Sequence, residues 1–338
     1  CQKIKNTKSN TYKNYKKIFN KKIFTGEKES KIFLSGTPAP NRAYELYSVL
    51  NQISPTDFPT KKHFYQYYCG MTYDVGGWGY VADEEDTKFE ELFHKIAPFT
   101  HRKKKEDALK DLPDKSYQRI ILEMGRDEEQ IYEDIESSVV NDFLKNPTTN
   151  PLTIMLRLRQ YVSSIKIKHV IELVNNILET GEKVVVVDMF KESLYDLKKL
   201  LGDVAELHTG DQSVEERSET IKRFQDPNSN TKVFLASIQT ANYGLTLTAA
   251  SKMFILTLPF SVGEYDQVAD RLHRISQKNA VNIYPLIFPD TIDDYVYSKI
   301  ESKRRELVRV LDNEEYESKI SNSVFAEVLN KLKEKHGK

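Results

Sequence analysis

The feature that most constrains the fold is an unbroken apolar run within a regular alternation of predicted strands and helices. Four consecutive valines lie inside residues 183–188, and such a run is typical of a parallel strand buried on both faces. Further strands are predicted at residues 204–207, 232–236, 253–258 and 281–287. Helical periodicity lies between most of them, at residues 192–201, 214–224 and 266–275. This alternation predicts a doubly wound parallel sheet with helices on both faces, an α/β architecture.

Ligands on a doubly wound sheet bind beyond the carboxyl ends of the strands. The loops that would lie there contain Gly210, residues 237–244 and residues 260–263. These loops are therefore the first candidates for a binding site.

Length and composition set limits on the rest of the chain. The 338 residues, 39% of them hydrophobic, can form more than one globular unit. No apolar run approaches the ~18 residues of a membrane span, so we expect a soluble, intracellular protein without a membrane partner. Two cysteines, Cys1 and Cys69, are too few for a disulfide framework or a zinc site, and no metal site is predicted. A basic run at residues 101–105 is interpreted as a solvated face.

Two arginines near the C-terminal third form the strongest candidate for chemistry. Gln267, Arg271 and Arg274 are spaced i, i+4, i+7, so a helix would carry all three on one face. Guanidinium groups are always charged, and they stabilise the charge of a transferring phosphoryl group. An ordinary surface helix with salt bridges is the alternative for two arginines taken alone.

Five sequence blocks place these arginines in a wider pattern. In chain order they are residues 34–38, 183–190, 207–210, 233–248 and 266–277. They resemble motifs III to VI of superfamily two helicases, and specifically of the Swi/Snf-type DNA translocases. The ending His-Arg-Ile-Ser-Gln at residues 273–277 is similar to the His-Arg-Ile-Gly-Gln signature of that family. The resemblance implies two RecA-like lobes, of which residues 165–289 are the second.

The resemblance also implies roles for individual residues. Arg271 and Arg274 match arginine fingers, and Gln267 and Gly244 match positions that line the nucleotide. Ser35, Gly36 and Thr37 match motif III, which in the family couples the two lobes.

Double-stranded or forked DNA is the partner that the family implies, contacted mainly through its phosphates. The positions that match residues facing the tracked strand are Thr209, Gly210, Ser237 and Thr240. Lys191 is a weaker candidate, chosen because it follows a predicted strand.

The resemblance does not include a phosphate loop. No Gly-x-x-x-x-Gly-Lys-[Ser/Thr] occurs in the 338 residues, and Cys1 to Asn6 resembles the stretch that follows the Asp-Glu pair of motif II. The resemblance therefore implies the C-terminal part of a larger translocase, whose first-lobe partner segment holds most of the contacts to ATP and Mg²⁺. We expect this chain alone to be inactive. The sequence does not indicate an oligomeric state.

Within the family, two stretches are similar to the annealing-helicase (HARP-like) subgroup. One runs from Phe58 through Cys69 to the Trp78 loop, and the other has Ala241-Asn242 where most relatives have Gly-Gly. The chain departs from the family at residues 260–262, where Phe-Ser-Val replaces the usual Trp-Asn/Ser-Pro.

The predicted domain order has four parts. Residues 1–122 form the end of a first RecA-like lobe with a helical insertion, and residues 123–164 form a helical protrusion and linker. Residues 165–289 form the second RecA-like lobe, and residues 290–338 form a C-terminal helical brace. A strand is predicted at residues 30–35. The aromatic stretch at residues 64–80 is interpreted as a compact helical insertion with its own core, with base stacking on exposed rings as the alternative.

Two other functions remain open at the level of sequence. One is a superfamily two helicase of another branch that unwinds RNA or single-strand-tailed DNA, which stimulation of ATP hydrolysis by RNA would favour. The other is a non-catalytic DNA-binding module that lacks its ATP-binding half.

Overall fold

The computed structural model describes residues 7–20, 31–39, 41–74, 79–145, 151–241 and 244–313. These residues form two compact units. The first takes its residues from the chain up to Arg102, from Ser261–Gly263 and from Glu301 onward; the second takes Lys103–Phe260 and Glu264–Ile300.

The first unit contains short helices and one β-hairpin. Its helices are α1 (Asn10–Asn20), α2 (Tyr47–Ile53), α3 (Lys61–His63) and α4 (Phe89–Ile96), with 3-10 turns at Ala43–Leu46 and Ala97–Phe99 and a π-helix at Phe64–Tyr68. The hairpin pairs β1 (Cys69–Asp74) with β2 (Gly79–Thr87) in antiparallel register, Thr72 opposite Val81. The register shifts between Cys69 and Met71, where Gly70 takes a positive φ of 56° that suits a bulge.

An aromatic core holds the first unit together. The rings of Tyr47, Phe58, Phe64 and Tyr68 are all buried, with the Phe64 centroid 5.7 Å from those of both Tyr47 and Phe58. These aromatic side chains thus form a compact buried core in the first unit. The prediction of a helical insertion is wrong beyond Tyr68, because the chain there turns into the hairpin.

The predicted strand at residues 30–35 is also wrong in its described part. Residues 31–35 lie in no strand, since no described strand pairs with them. Their apolar side chains remain uncovered there, with Ile32 and Leu34 each 83% exposed.

The second unit is built on a parallel sheet. Its strands are β3 (Lys115–Tyr117), β4 (Ile120–Ile121), β5 (Lys183–Asp188), β6 (Ala205–His208), β7 (Val233–Ser237), β8 (Ala250–Ile255) and β9 (Val281–Ile287). They lie in the order β3-β9-β8-β5-β7-β6, with β4 also paired to β9. All of these pairings are parallel, as predicted. The four valines of β5 are fully buried at its centre.

Helices surround this sheet. They are α5 (Lys105–Ala108), α6 (Arg126–Lys145), α7 (Pro151–Ile165), α8 (Ile167–Glu179), α9 (Lys191–Leu201), α10 (Val214–Gln225), α11 (Ile238–Ala241), α12 (Val262–Ala269) and α13 (Ile292–Asp312), with a 3-10 turn at Gly202–Val204. Most helices and strands lie within a few residues of their predicted bounds. The helix predicted after residue 290 is present as α13, whereas residues 314–338 lie outside the described residues.

The edge of the sheet departs from the predicted domain order. The sequence places residues 1–122 in the first lobe, but β3 and β4 pair with β9, Lys115 lying opposite Val281 and Ile120 opposite Leu286. These strands are too short for the sequence to assign them to a sheet, because only the partner strand fixes their place.

A buried ion pair joins the sheet to two helices. Lys166, just before α8, is fully buried, and its Nζ lies 2.6 Å from Oδ2 of Asp293 in the first turn of α13. The same Nζ donates to the carbonyl oxygens of Leu256 and Leu286, at 2.5 and 2.7 Å. All three donor positions of the ammonium are therefore occupied by acceptors, which a buried charge requires.

Replacement of Asp293 by Ala should destabilise the second unit strongly. The change leaves the Lys166 ammonium buried without its counter-ion, which costs about 3–5 kcal/mol. Urea denaturation would measure the loss. As a matched control, Glu128→Ala removes the solvent-exposed pair with Lys168, 2.8 Å long, and should cost under about 1 kcal/mol. Equal losses in both variants would contradict the role given to Lys166.

Candidate functional site

Arg271 and Arg274 lie in a tight turn rather than on a helix. Helix α12 ends at Ala269, and the amides of Arg271 and Leu272 donate to carbonyls only three residues back, at 3.0 and 3.2 Å. The prediction of one helical face shared by Gln267, Arg271 and Arg274 is therefore wrong. We call residues 270–277 the arginine segment.

Tertiary hydrogen bonds explain why the helix stops. The amide of Leu247 donates to the Arg271 carbonyl at 2.9 Å, an acceptor that a continuing helix would have used internally. Gln277 is only 5% exposed, and its Nε2 donates to the carbonyls of Leu272 and Ala250, at 3.1 and 2.8 Å. Its Oε1 accepts from the amides of Lys278 and Asn279. Gln277 thus fixes the arginine segment to the start of β8, a role that the sequence pattern did not reveal.

The two guanidinium groups occupy different surroundings. Arg271 is buried; burial lowers its pKa, and the nearby charge of Arg274 acts in the same direction, opposed by Asp270. Arg274 is partly exposed and donates from Nη1 to Oγ1 of Thr246 at 3.0 Å. Two positive groups held close to each other favour an anionic ligand, because an anion relieves their mutual repulsion.

The other predicted nucleotide-lining residues are less constrained. Gln267 is partly exposed on α12. Gly244 is exposed with a φ of 63°, and the space beside its Cα is open. It directly follows Asn242 and Tyr243, which lie outside the described residues, so the Ala-Asn variant of this motif is described only as far as Ala241.

A second group of candidates gathers at the carboxyl ends of three adjacent strands. We call Lys191, Thr209, Gly210, Ser237 and Thr240 the strand-end cluster. In the sheet Asp188 lies opposite Ser237, and His208 lies opposite Ala236. The three strands therefore end along one edge, as the sequence predicted.

Hydrogen bonds fix the hydroxyls of this cluster. Thr240 Oγ1 donates to the His208 carbonyl at 2.8 Å and lies 2.9 Å from Ser237 Oγ. Thr209 is buried, and its amide donates to Gln212 Oε1 at 3.0 Å. Gly210 is exposed with open space beside its Cα, so a ligand can approach its backbone closely.

Lys191 reaches the same loop from the start of α9. Its Nζ lies 2.5 Å from Oδ1 of Asp211, whose other oxygen accepts from Tyr195 Oη at 2.6 Å. The hydrogen bond from Lys191 lowers the pKa of Asp211, and the same bond raises the pKa of Lys191. Lys191 therefore stays charged, and an anionic ligand must compete with Asp211 for it.

The histidine beside this cluster contributes no charge at neutral pH. His208 packs on Phe234, with ring centroids 5.3 Å apart. Burial, followed by the positive charge of Arg217, lowers the pKa of His208 to about 4. Its neutral ring leaves hydroxyls, amides and Lys191 as the groups that an anion would meet.

The arginine segment lies at the amino ends of the strands, and the strand-end cluster lies at their carboxyl ends. Gln277 binds the carbonyl of Ala250, the first residue of β8, whereas Ser237 is the last residue of β7. Because these strands are parallel and five or six residues long, the two groups are separated by roughly 15–20 Å along the strand direction. The sequence did not predict this separation.

The remaining candidates belong to the first unit. Ser35 and Gly36 are exposed, and the amide of Thr37 donates to Ser35 Oγ at 3.1 Å, which makes a serine-capped turn. In the described part of the chain, no group of three or more His, Cys, Asp or Glu could hold a metal ion. No described helix is both long and apolar enough to cross a membrane.

Two protein-family models match the chain in succession. The SNF2-related domain matches residues 1–167, and the helicase conserved C-terminal domain matches residues 165–276. The second match covers both the strand-end cluster and the arginines.

Similar proteins agree with these two matches. An uncharacterized ATP-dependent helicase of Mycoplasma genitalium is 27% identical over 91% of this chain and 30% of its own length. A SWI/SNF-related regulator of chromatin, subfamily A-like protein 1, of Xenopus tropicalis is 28% identical over 80% of this chain and 29% of its own length. The chain thus spans about a third or less of the curated relatives that it matches.

Solved structures show the same fold. The SWI2/SNF2 ATPase core domain of Sulfolobus solfataricus has a TM-score of 0.50 at 21% identity, covering 86% of this chain and 62% of that one. The C-terminal part of the Fun30 ATPase domain has a TM-score of 0.51 at 16% identity, covering 67% of this chain and 97% of that one. The RecA-like α/β fold expected from the sequence is confirmed.

Proposed function

The chain belongs to the Swi/Snf-type branch of helicase superfamily two, and on this premise we propose that it forms part of an ATP-dependent double-stranded DNA translocase. One observation carries this proposal. A single sheet holds the arginine segment at the amino ends of its strands and the strand-end cluster, with its hydroxyls and amides, at their carboxyl ends. A motor needs this arrangement, because its nucleotide and its track must contact one rigid body at separate places.

The arginine segment supplies one part of the ATP site in this proposal. Arg271 and Arg274 stabilise the negative charge on the transferring phosphoryl group, and Gln267 and Gly244 line the nucleotide. These 338 residues contain no phosphate loop, so in this proposal the groups that hold the β- and γ-phosphates and Mg²⁺ are supplied by another segment. Exposed Ile32 and Leu34 in the first unit support such a partner segment, since uncovered large apolar side chains mark interaction surfaces.

The strand-end cluster supplies part of the DNA track. Thr209, Ser237 and Thr240 offer hydroxyls or amides, Gly210 allows close approach of a phosphate, and Lys191 adds a positive charge. Phosphate contacts carry no direct sequence information, which suits movement along any duplex. The turn at Ser35, Gly36 and Thr37 is proposed to couple the nucleotide state to movement.

We further propose that the complete protein acts on duplex or forked DNA and reanneals or translocates rather than separating strands processively. The support is the resemblance of residues 240–246 and of the stretch from Phe58 to Cys69 to the annealing-helicase subgroup. Within the described residues, the long helices α6 and α7 pack against each other, and we propose that this pair contacts the duplex backbone.

Loss of either arginine should abolish hydrolysis without abolishing nucleotide binding. In a polypeptide that carries both this chain and its phosphate loop, Arg271→Ala or Arg274→Ala should lower kcat by about 10³-fold or more, by analogy with other arginine fingers. DNA-stimulated phosphate release and equilibrium binding of ATP would measure the two effects. A variant that turned over at the wild-type rate would show that its arginine is not a finger.

The 338-residue chain by itself should hydrolyse no ATP above a buffer blank, because it has no phosphate loop to hold the β- and γ-phosphates. Phosphate release by the purified chain is the measurement. Turnover that persists through purification, and disappears in Arg274→Ala, would contradict this expectation.

Nucleic-acid preference tests the proposed track. Forked or duplex DNA should stimulate hydrolysis more than single-stranded DNA or RNA, and affinity should fall steeply with salt, with a log–log slope of several units. In addition, Lys191→Ala should weaken binding uniformly across sequences. Stronger stimulation by RNA would instead favour an RNA helicase, and affinity independent of salt would rule out a phosphate track.

A further inference from the structure

The carboxylate of Asp270, at the start of the arginine segment, is held by two lysines. Lys115 Nζ lies 2.9 Å from Oδ1 of Asp270, and Lys105 Nζ lies 2.7 Å from Oδ2. Each carboxylate oxygen therefore has its own ammonium partner. Both lysines come from one stretch, residues 105–117, which we call the basic strap.

Further contacts join the basic strap to the arginine segment and to α12. Nε2 of His273 lies 2.7 Å from the carbonyl oxygen of Pro113. Tyr117 Oη donates to Oδ1 of Asp266 at 2.9 Å. The basic strap thus contacts residues both before and after Arg271 in the chain. Gln277 anchors the far end of the arginine segment separately.

The strap is itself fixed to the sheet. Its last three residues form β3, which pairs with β9, and the amide of Val281 donates to the carbonyl of Asp114 at 2.8 Å. A strand that pairs in a sheet is a rigid support, so the lysines hold Asp270 from a defined position. The basic run at residues 101–105 is therefore not simply a solvated face, because Lys105 serves this contact.

Charge balance favours a role beyond packing. Burial acts to raise the pKa of Asp270, but Lys115 and Lys105 outweigh it and hold the pKa below its ordinary value. Asp270 is thus ionised at neutral pH next to Arg271. Both oxygens of this carboxylate are occupied by lysines, which fix its position beside Arg271.

We propose that Asp270 is a positioning residue that, together with Lys105 and Lys115, fixes the arginine segment and so sets the positions of Arg271 and Arg274. The geometric part of this inference concerns only the chain itself. Its catalytic consequence rests on the proposed function.

Hydrogen–deuterium exchange on the 338-residue chain tests the geometric part. In Asp270→Asn, amides of residues 270–277 should exchange about three- to tenfold faster, since two partly exposed ion pairs are lost. Lys105→Met combined with Lys115→Met should give the same increase. Asp270→Glu keeps the charge and should exchange at close to the wild-type rate.

The dependence of exchange on salt distinguishes stabilisation by the Asp270 ion pairs from stabilisation by packing. Raising ionic strength to about 1 M shortens the screening length to ~3 Å, so exchange of residues 270–277 should rise in the wild type but not in Asp270→Asn. The matched control is Glu128→Gln, which removes the distant Lys168 pair and should leave these amides unchanged. Unchanged exchange in Asp270→Asn, or an increase spread evenly over the second unit, would overturn the inference.

Hydrolysis by the polypeptide that includes the phosphate loop tests the consequence. Asp270→Asn should lower kcat by about tenfold or more with little change in KM for ATP, and Asp270→Glu should restore it. If Asp270→Asn kept full kcat while Arg274→Ala lost it, the positioning role would be refuted. If both variants kept full kcat, the proposed function would fail, and the exchange result alone would decide the geometric part.

Discussion

The Lys166 ammonium is a fully buried charge that links the sheet of the second unit to two of its helices. It bonds to Asp293 and to the carbonyl oxygens of Leu256 and Leu286. It thereby ties the carboxyl ends of β8 and β9 to the start of α13, while its own backbone leads into α8. A buried ammonium without these acceptors would be strongly unfavourable. The three partners must therefore assemble together, and this constraint sets the relative positions of the sheet and the two helices.

A sheet fixed in this way holds the arginine segment and the strand-end cluster, the two proposed binding surfaces, at separate ends of its strands. Gln277 anchors the arginine segment at the amino end of β8, and Thr240 joins the ends of β6 and β7 through the His208 carbonyl. Neither anchor is a flexible surface contact, since Gln277 is buried and Thr240 bonds to backbone. Both anchors are therefore part of the folded sheet unit itself.

The sequence predicted the architecture well and the local geometry of the site poorly. Apolar runs and turn residues predicted the parallel sheet, because burial on both faces leaves a strong signal such as the four valines of β5. The prediction that Arg271 and Arg274 share a helical face was wrong, because donors from outside the helix, the Leu247 amide and Gln277 Nε2, take the carbonyl oxygens of Arg271 and Leu272. Lys105, Lys115 and Lys166 carried no signal, since periodicity cannot identify the distant carboxylate or carbonyl that a lysine will meet.

In the proposed function, Arg271 and Arg274 stabilise the charge that develops on phosphate during hydrolysis. The most direct measurement compares the affinities of ADP and of ADP with aluminium fluoride, a mimic of the transferring phosphoryl group, for the polypeptide that includes the phosphate loop. Wild-type protein should bind the mimic far more tightly than ADP, and Arg274→Ala should lose most of that difference while its affinity for ADP stays the same. An undiminished preference for the mimic in Arg274→Ala would contradict the account.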